Sequence, residues 1–161
     1  EKRETKMMVS TKGRYALRVM IDLAEHGEKG EYISLSDISE RQEVSFKYLE
    51  AIVSSLFRAG MLESRRGKNG GYRLCRTPSE YSVGEILKAA EGDIEPVSCG
   101  GEECPRKDRC RTLPLWRELD GVIDRYLSGV TLADVLSGKV AGDGTEHIST
   151  GRPESDGSAG K

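Results

Sequence analysis

The chain has 161 residues and a formal net charge of −2, with 36% hydrophobic and 32% charged residues. This composition predicts a soluble protein with a modest core, and the length allows one compact domain with an extension or two small lobes. No segment has the roughly 20 consecutive apolar residues of a membrane helix, and the charged start, EKRETKMMVSTKGR, lacks the apolar stretch of a secretory signal. We therefore expect a cytoplasmic protein with no membrane partner, in a compartment where thiols stay reduced.

The charges are distributed unevenly along the chain. Residues 10–76 contain twelve Lys and Arg against nine Asp and Glu, whereas residues 77–161 contain ten against sixteen. The first half is therefore about +3 and the second about −6. This asymmetry is compatible with a nucleic-acid-binding lobe joined to an acidic one.

Three helices are predicted in the first half of the chain. From residue 10 to about residue 25, apolar residues recur at helical spacing. Ser34, with Asp37 three residues later, predicts a capped helix over residues 35–42. A third helix is expected over residues 46–59, and a glycine follows it as a stop signal. Its apolar stripe, which we expect to be buried, consists of Leu49, Ile52, Val53, Leu56 and Phe57.

A β-hairpin is predicted next, because short segments over residues 62–66 and 72–75 flank a turn rich in Gly and Asn. Helix, short helix, turn, helix and hairpin is the order of a winged helix-turn-helix, in which the second helix of the pair enters the major groove of DNA. The fold class predicted is therefore mainly α with a small β-hairpin wing. The candidate DNA-binding residues lie on the exposed face of the third helix and on the hairpin: Ser45, Lys47, Tyr48, Glu50, Arg58, Arg65, Arg66, Lys68 and Arg73.

The second half predicts a helix opened by a capping box at Ser82, a long amphipathic helix that starts near residue 112, and a last short helix opened at Thr131. The tail is rich in Gly, Ser, Asp and Glu and is expected to be disordered. The expected domains are a DNA-binding domain over residues 8–91, a cysteine-rich loop over 92–111, the two last helices over 112–138, and the tail over 139–161.

Several blocks of sequence resemble the Rrf-type family of bacterial winged-helix regulators, which includes the IscR, NsrR and CymR types. The blocks are STKGRYALRVMIDLA, LSDISERQEVSFKYLE, GMLESRRGKNGGYRL, YSVGEILKAAEG and LPLWRELDGVIDRYLSGVTLADVL. They occur in the family's order and cover about residues 8–137.

The resemblance implies a homodimeric transcription regulator, expected to be a repressor, that binds double-stranded DNA at a roughly palindromic operator. It implies that Lys47, Glu50 and Arg66 contact or select bases. It also implies that the long helix joins the two subunits. The interface residues implied on that helix are Leu115, Leu119, Val122, Ile123 and Tyr126.

Three of the four cysteines lie within twelve residues, in the pattern Cys99-x4-Cys104-x5-Cys110. Thiolates are soft donors that suit iron–sulfur clusters or zinc, and the spacing alone does not separate the two. The resemblance implies an iron–sulfur cluster, 2Fe-2S or 4Fe-4S, held by the three cysteines and one further ligand, with zinc less favoured. The x4/x5 spacing is more similar to the NsrR type than to the IscR type.

The fourth ligand of such a cluster is open. The IscR type has a histidine three residues after the last cysteine, where this chain has Leu113. In the NsrR type a carboxylate near the start of the first helix is the fourth ligand, and the equivalent residue here is Arg14. The remaining candidates are an external thiol, water and the side chains of Glu102, Glu103 and Asp108.

Two alternatives remain at this point. One is a CymR-like regulator controlled by a partner protein, a metabolite or a thiol redox switch, without a cluster. The other is a zinc-binding or interaction module that does not bind DNA. An enzyme is not expected, because the sequence has no nucleophile–base constellation or phosphate-binding loop. Cys75, at the end of the predicted hairpin, is expected to act as a small hydrophobic residue.

Overall fold

The structure is a computed structural model and describes residues 9–27, 30–92, 94 and 104–140. In this part of the chain it contains six α-helices and one antiparallel hairpin, which confirms the predicted fold class. The helices are Thr11–His26 (α1), Leu35–Gln42 (α2), Phe46–Arg58 (α3), Val83–Glu91 (α4), Leu113–Gly129 (α5) and Leu132–Ser137 (α6). The strands are Leu62–Arg65 (β1) and Gly71–Leu74 (β2). The tail predicted to be disordered lies, from residue 141 on, outside the described residues.

Five of the six described helices begin next to a Ser or Thr whose hydroxyl accepts a backbone N–H of the first turn. Such a cap satisfies a donor that the helix leaves unpaired and contributes about 1 kcal/mol. The capping residues are Ser10, Ser34, Ser45, Ser82 and Thr131. None of the described helices is long and apolar enough to cross a membrane.

The core lies between α1, α3 and α4. Four residues of the predicted α3 stripe, Leu49, Ile52, Val53 and Leu56, are fully buried there. The prediction for Phe57 is wrong, because 46% of this residue is exposed. At 3.6 residues per turn, residue 57 lies about 80° around the helix from residue 49, at the edge of the buried face.

The hairpin gains a third backbone segment from the approach to α2. Ile33 exchanges two backbone hydrogen bonds with Tyr72 of β2, at 2.9 and 2.8 Å. The neighbouring Gly71 has a φ of +152°, and a Cβ there would lie 2.2 Å from the carbonyl oxygen of Ile33. Only glycine allows this close approach, which fastens the wing to the start of the helix-turn-helix.

A buried carboxylate joins α1 to α2. Asp22 has no exposed surface, and its oxygens accept hydrogen bonds from Arg41 at 2.6 and 3.0 Å and from Gln42 at 2.8 Å. Burial acts to raise the pKa of Asp22, but the hydrogen bonds from Arg41 and Gln42, with the charges of Arg41 and His26, outweigh it and lower the pKa. The carboxylate is therefore ionised in the fold and holds the first helix of the pair in place.

The last two helices pack on different elements: α5 lies against α4, whereas α6 lies against the short 3₁₀ segment Pro78–Glu80 and α1. Gly84 brings its backbone close to that of α5, since a Cβ there would lie 3.3 Å from backbone atoms of Leu127 and Ser128. Lys88 of α4 pairs with Asp124 of α5. The N–H of Leu132 at the start of α6 donates to the carbonyl of Tyr81 at 2.9 Å.

Candidate nucleic-acid interface and cysteine loop

The outward face of α3 presents charged side chains that have no partner in the described part of the chain. Lys47, Glu50 and Arg58 are all exposed. The α3 stripe faces the core, so helical geometry places these three side chains on the opposite side. The exposed Ser45 caps the helix through the N–H of Tyr48 at 3.4 Å.

Tyr48 lies differently from the other candidates on α3. Its half-buried ring meets the ring of Tyr15 on α1 edge-on, with 5.8 Å between the ring centroids. This geometry is favourable for an aromatic pair. The structure therefore places Tyr48 between α1 and α3, where its ring fixes the start of α3.

The basic residues of the wing fall into two groups. Arg66 and Lys68, in the turn between the strands, are exposed and have no hydrogen bond or ion pair within the described residues. Arg73 instead donates to the carboxylate of Glu63 at 2.7 Å and to the carbonyl of Gly30 at 3.2 Å.

Tyr32 lies beneath both arginines of the strands. The guanidinium of Arg65 is 5.3 Å from the centre of its ring and that of Arg73 is 4.7 Å from it. Glu63 adds a hydrogen bond, since the Tyr32 hydroxyl donates to it at 3.4 Å. Sequence reasoning counted Arg73 with the DNA contacts and missed Tyr32, because the cross-strand pairing that joins them is not local in sequence.

Two of the three clustered cysteines, Cys104 and Cys110, lie in the described residues, and Cys99 lies outside them, as do Glu102 and Glu103. The carbonyl of Cys104 accepts the N–H of Lys107 at 3.1 Å, which closes a turn. The short 3₁₀ helix Lys107–Arg109 follows. Within the described ranges, no three potential ligands come together as a metal site.

Cys110 lies in surroundings that favour a thiolate. Its Sγ is 3.3 Å from the hydroxyl of Thr112. Hydrogen bonds from the side chain and backbone of Thr112, then from the backbone of Leu113, together with the charge of Arg106, lower the pKa of this thiol. A cleft of about 600 Å³ opens beside it, lined by Arg106, Arg109, Cys110, Arg111 and Thr112. Thiolate donors amid basic residues fit an anionic iron–sulfur cluster and also fit zinc.

The other residues considered for the cluster have clear positions. Leu113 is buried in the first turn of α5. Arg14 is exposed on α1 and donates to the Thr11 hydroxyl at 3.3 Å. Asp108 is exposed in the 3₁₀ helix of the loop. Cys75 is exposed at the end of β2, so the expectation that it fills apolar space is wrong.

The helix-turn-helix pair and the hairpin that follows it define a winged helix-turn-helix protein. The family model Rrf2, described as an iron-dependent transcriptional regulator, matches residues 9–138. The chain belongs to the Rrf2 family of DNA-binding transcriptional regulators, so a role as an enzyme is not indicated.

Curated relatives and solved structures agree with this assignment. The chain is 41% identical over 131 residues to the transcriptional regulator IscR of Aliivibrio salmonicida, which covers 81% of this chain and 77% of that protein. The structure of T. potens IscR has a TM-score of 0.67 at 37% identity and covers 81% of this chain and 87% of its own. The structure of CymR, the global cysteine regulator of B. subtilis, has a TM-score of 0.65 at 39% identity and covers 80% of this chain and 95% of its own.

Proposed function

We propose that the chain is a homodimeric repressor whose binding to a roughly palindromic operator is controlled by an iron–sulfur cluster. In this proposal residues 8–91 bind DNA, residues 92–111 hold the cluster and residues 112–138 join the subunits. A regulator of bacterial transcription acts on the chromosome, so we place it in the cytoplasm.

The observation that carries the DNA-binding part is the set of charged side chains without partners on α3 and on the turn of the wing. Lys47, Arg66 and Lys68 provide positive charge for phosphates, and release of counterions makes such binding depend on salt. Glu50 provides an acceptor for the exocyclic amine of cytosine in the major groove. We assign Arg73 and Tyr48 to shaping the wing and α3, because both are engaged within the protein.

The apolar face of α5 supports a dimer of two such chains. Leu115, Leu119, Val122 and Tyr126 are between 38% and 59% exposed, although all are large hydrophobic residues. The other side of α5 packs on α4, so this face has no partner among the described residues. Exposed apolar patches of this kind mark interfaces, and the partner proposed is the same face of a second copy.

The cysteine loop supports control by a cluster. Cys104 and Cys110, with Cys99, provide three thiolates, and basic residues beside Cys110 offset negative charge. An iron–sulfur cluster held by these cysteines would supply a cofactor sensitive to loss or oxidation. The chain's own contribution is mechanical: Cys110 is three residues before Leu113, which anchors the first turn of α5 in the core. A change of the loop then shifts the population of dimer arrangements that bind DNA.

The test is anaerobic purification of the full chain, with visible absorption spectra, iron and sulfide analysis, and binding to operator DNA before and after removal of iron. A Cys104→Ala variant is compared with Cys75→Ala as the matched control. We expect iron and a thiolate-to-iron absorption band that Cys104→Ala loses and Cys75→Ala keeps, and an operator affinity that changes with the cluster. Loaded protein whose affinity does not change on iron removal would contradict cluster control.

The second candidate is a CymR-like regulator that responds to thiol oxidation or a partner protein. The similarity to structures of CymR, including the oxidised form of Staphylococcus aureus CymR, favours this candidate. In this case the protein remains colourless and iron-free after anaerobic reconstitution, yet binds its operator. Its affinity then changes on oxidation or on addition of a partner. Metal analysis of the same colourless sample would detect zinc if the loop binds zinc instead.

A further inference from the structure

The two phenylalanines of this chain, Phe46 and Phe57, both lie on α3 where its exposed face meets the buried one. Each is 46% exposed, while Leu, Ile, Val, Met and Tyr fill the core. A single exposed aromatic ring is ordinary on a protein surface. Here, however, the chain places both of its phenylalanines on the helix proposed to enter the major groove.

Phe46 occupies the end of α3 that approaches the bases most closely. It is the first residue of the helix, directly after the cap Ser45 and beside the exposed Lys47. In helix-turn-helix complexes the N-terminal residues of the second helix contact the base edges. Glu50 is one turn further along, about 6 Å along the axis and about 40° around it. An apolar ring and a carboxylate therefore lie side by side on the exposed surface of this helix.

We propose that Phe46 is a specificity-determining residue that packs on the C5 methyl group of a thymine. This inference rests on the proposed function. It extends the proposed recognition of the operator to a thymine, a base that the charged side chains do not select. In the major groove only thymine presents an apolar group, and the phenyl ring has no donor or acceptor for another base edge. A thymine within about two base pairs of the cytosine assigned to Glu50 fits the separation of the two side chains.

Phe57 serves as the matched control on the same helix. It has the same residue type and the same exposure, but it is eleven residues further along, which corresponds to about 16 Å of helix. That distance places it at the C-terminal end of α3, away from the end that contacts base edges.

The experiment first selects an operator from a random duplex library with the full-length wild-type chain. Each thymine of a half-site is then replaced in turn by deoxyuridine, which removes the methyl group and keeps every hydrogen-bonding atom. We expect one position at which the wild-type chain loses about fourfold in affinity, since burying one such group is worth about 0.8 kcal/mol. Phe46→Ala and the milder Phe46→Leu should bind more weakly and lose most of this discrimination, whereas Phe57→Ala should keep it.

Three results would overturn the inference: a flat deoxyuridine scan with the wild-type chain, a loss that Phe46→Ala retains in full, or a loss that Phe57→Ala abolishes equally. If Phe46→Ala binds too weakly to measure, the same scan with the milder Phe46→Leu decides, and full retention of the loss by Phe46→Leu would overturn the inference. Failure of the wild-type chain to retain any duplex is a different result, which would overturn the proposed function as well.

Discussion

Asp22 is the only charged side chain of the described residues that has no exposed surface. We predict that Asp22→Asn lowers the free energy of unfolding by about 2 kcal/mol, because it weakens the charge-assisted hydrogen bonds from Arg41 and Gln42. Urea unfolding at neutral pH measures the effect. The matched control is Glu25→Gln, which changes an exposed carboxylate of the same helix and should have little effect.

The same residue predicts part of the acid sensitivity of the fold. Because the pKa of Asp22 is lowered in the folded chain, its contribution to stability is complete above the ordinary pKa of an aspartate. It is lost as the pH falls below that value and through the lowered pKa. The decline in stability between neutral and acidic pH should therefore be shallower in Asp22→Asn. Equal slopes in both proteins would show that folding does not shift the pKa of Asp22.

Lys68 and Glu50 are expected to play different roles in DNA binding: Lys68 contributes to affinity for any duplex, and Glu50 contributes to the preference for one base pair. We predict that Lys68→Ala weakens binding to all duplexes alike and reduces the slope of log affinity against log salt by about 0.9, the value for one lost phosphate contact. Glu50→Ala should leave that slope unchanged and relax the preference at one base pair. Fluorescence anisotropy titrations at several salt concentrations measure both. A salt slope unaffected by Lys68→Ala would remove this residue from the interface.

At the scale of elements, the turn between α2 and α3 depends on a residue in the left-handed region. Glu43 has a φ of +54° and a ψ of +40°, and it is the only non-glycine residue with positive φ in the described chain. Next to it, the Ser39 hydroxyl donates to the carbonyl of Val44 at 2.7 Å. This bond holds the turn against the strain of its backbone.

We predict that Glu43→Gly stabilises the protein by about 0.5–1 kcal/mol, because relief of the left-handed strain exceeds the added chain entropy. Glu40→Gly, one turn earlier within α2, should instead destabilise it by about 1 kcal/mol. Thermal unfolding compares the two variants with the parent chain. A loss of stability in Glu43→Gly would mean that the side chain contributes more than its conformation costs.

The helix limits and the hairpin could be predicted because their signals are local. Capping residues such as Ser82 and the apolar spacing of α3 involve neighbours in the sequence, and the predicted limits agree with the structure to within about two residues. The pairing of Ile33 with Tyr72 could not be predicted, since it joins residues far apart in the chain. Asp22 carried one overlooked signal: it lies three residues after Val19, on the buried side of α1.

The candidate site shows the same division. The exposed face of α3 follows from the apolar stripe opposite it, so the positions of Lys47 and Glu50 could be predicted. The engagement of Arg73 with Glu63 and Tyr32, and the inward position of Tyr48 against Tyr15, depend on tertiary contacts. A list of basic and aromatic residues cannot separate side chains that are free to bind from those already engaged within the protein.

At the scale of the whole molecule, the proposed dimer depends on α5. We predict that Leu119→Glu produces a monomer with operator affinity reduced at least tenfold, because it places a charge in an apolar interface and removes the second half-site (about 1.4 kcal/mol or more). Arg117→Glu, an exposed position of α5 away from the apolar face, is the control and should remain dimeric. Analytical ultracentrifugation measures the assembly. A Leu119→Glu variant that remains dimeric would place the interface elsewhere.

Gly84 sets how closely α4 and α5 approach each other in each subunit of such a dimer. Its missing side chain lets the backbones of α4 and α5 approach closely, and the ion pair between Lys88 and Asp124 spans the same contact. At the far end of α4, the Glu91 carboxylate accepts the Ser10 N–H at 2.9 Å and so ties α4 to α1. Helix α4 thus connects α1 to α5 within each subunit, so we expect a shift of α5 in the proposed dimer to carry the helix-turn-helix with it. One base pair added between the half-sites of an operator rotates one half-site by about 35° relative to the other. We expect the proposed dimer to bind such an operator more weakly, because its two recognition helices would no longer face both major grooves.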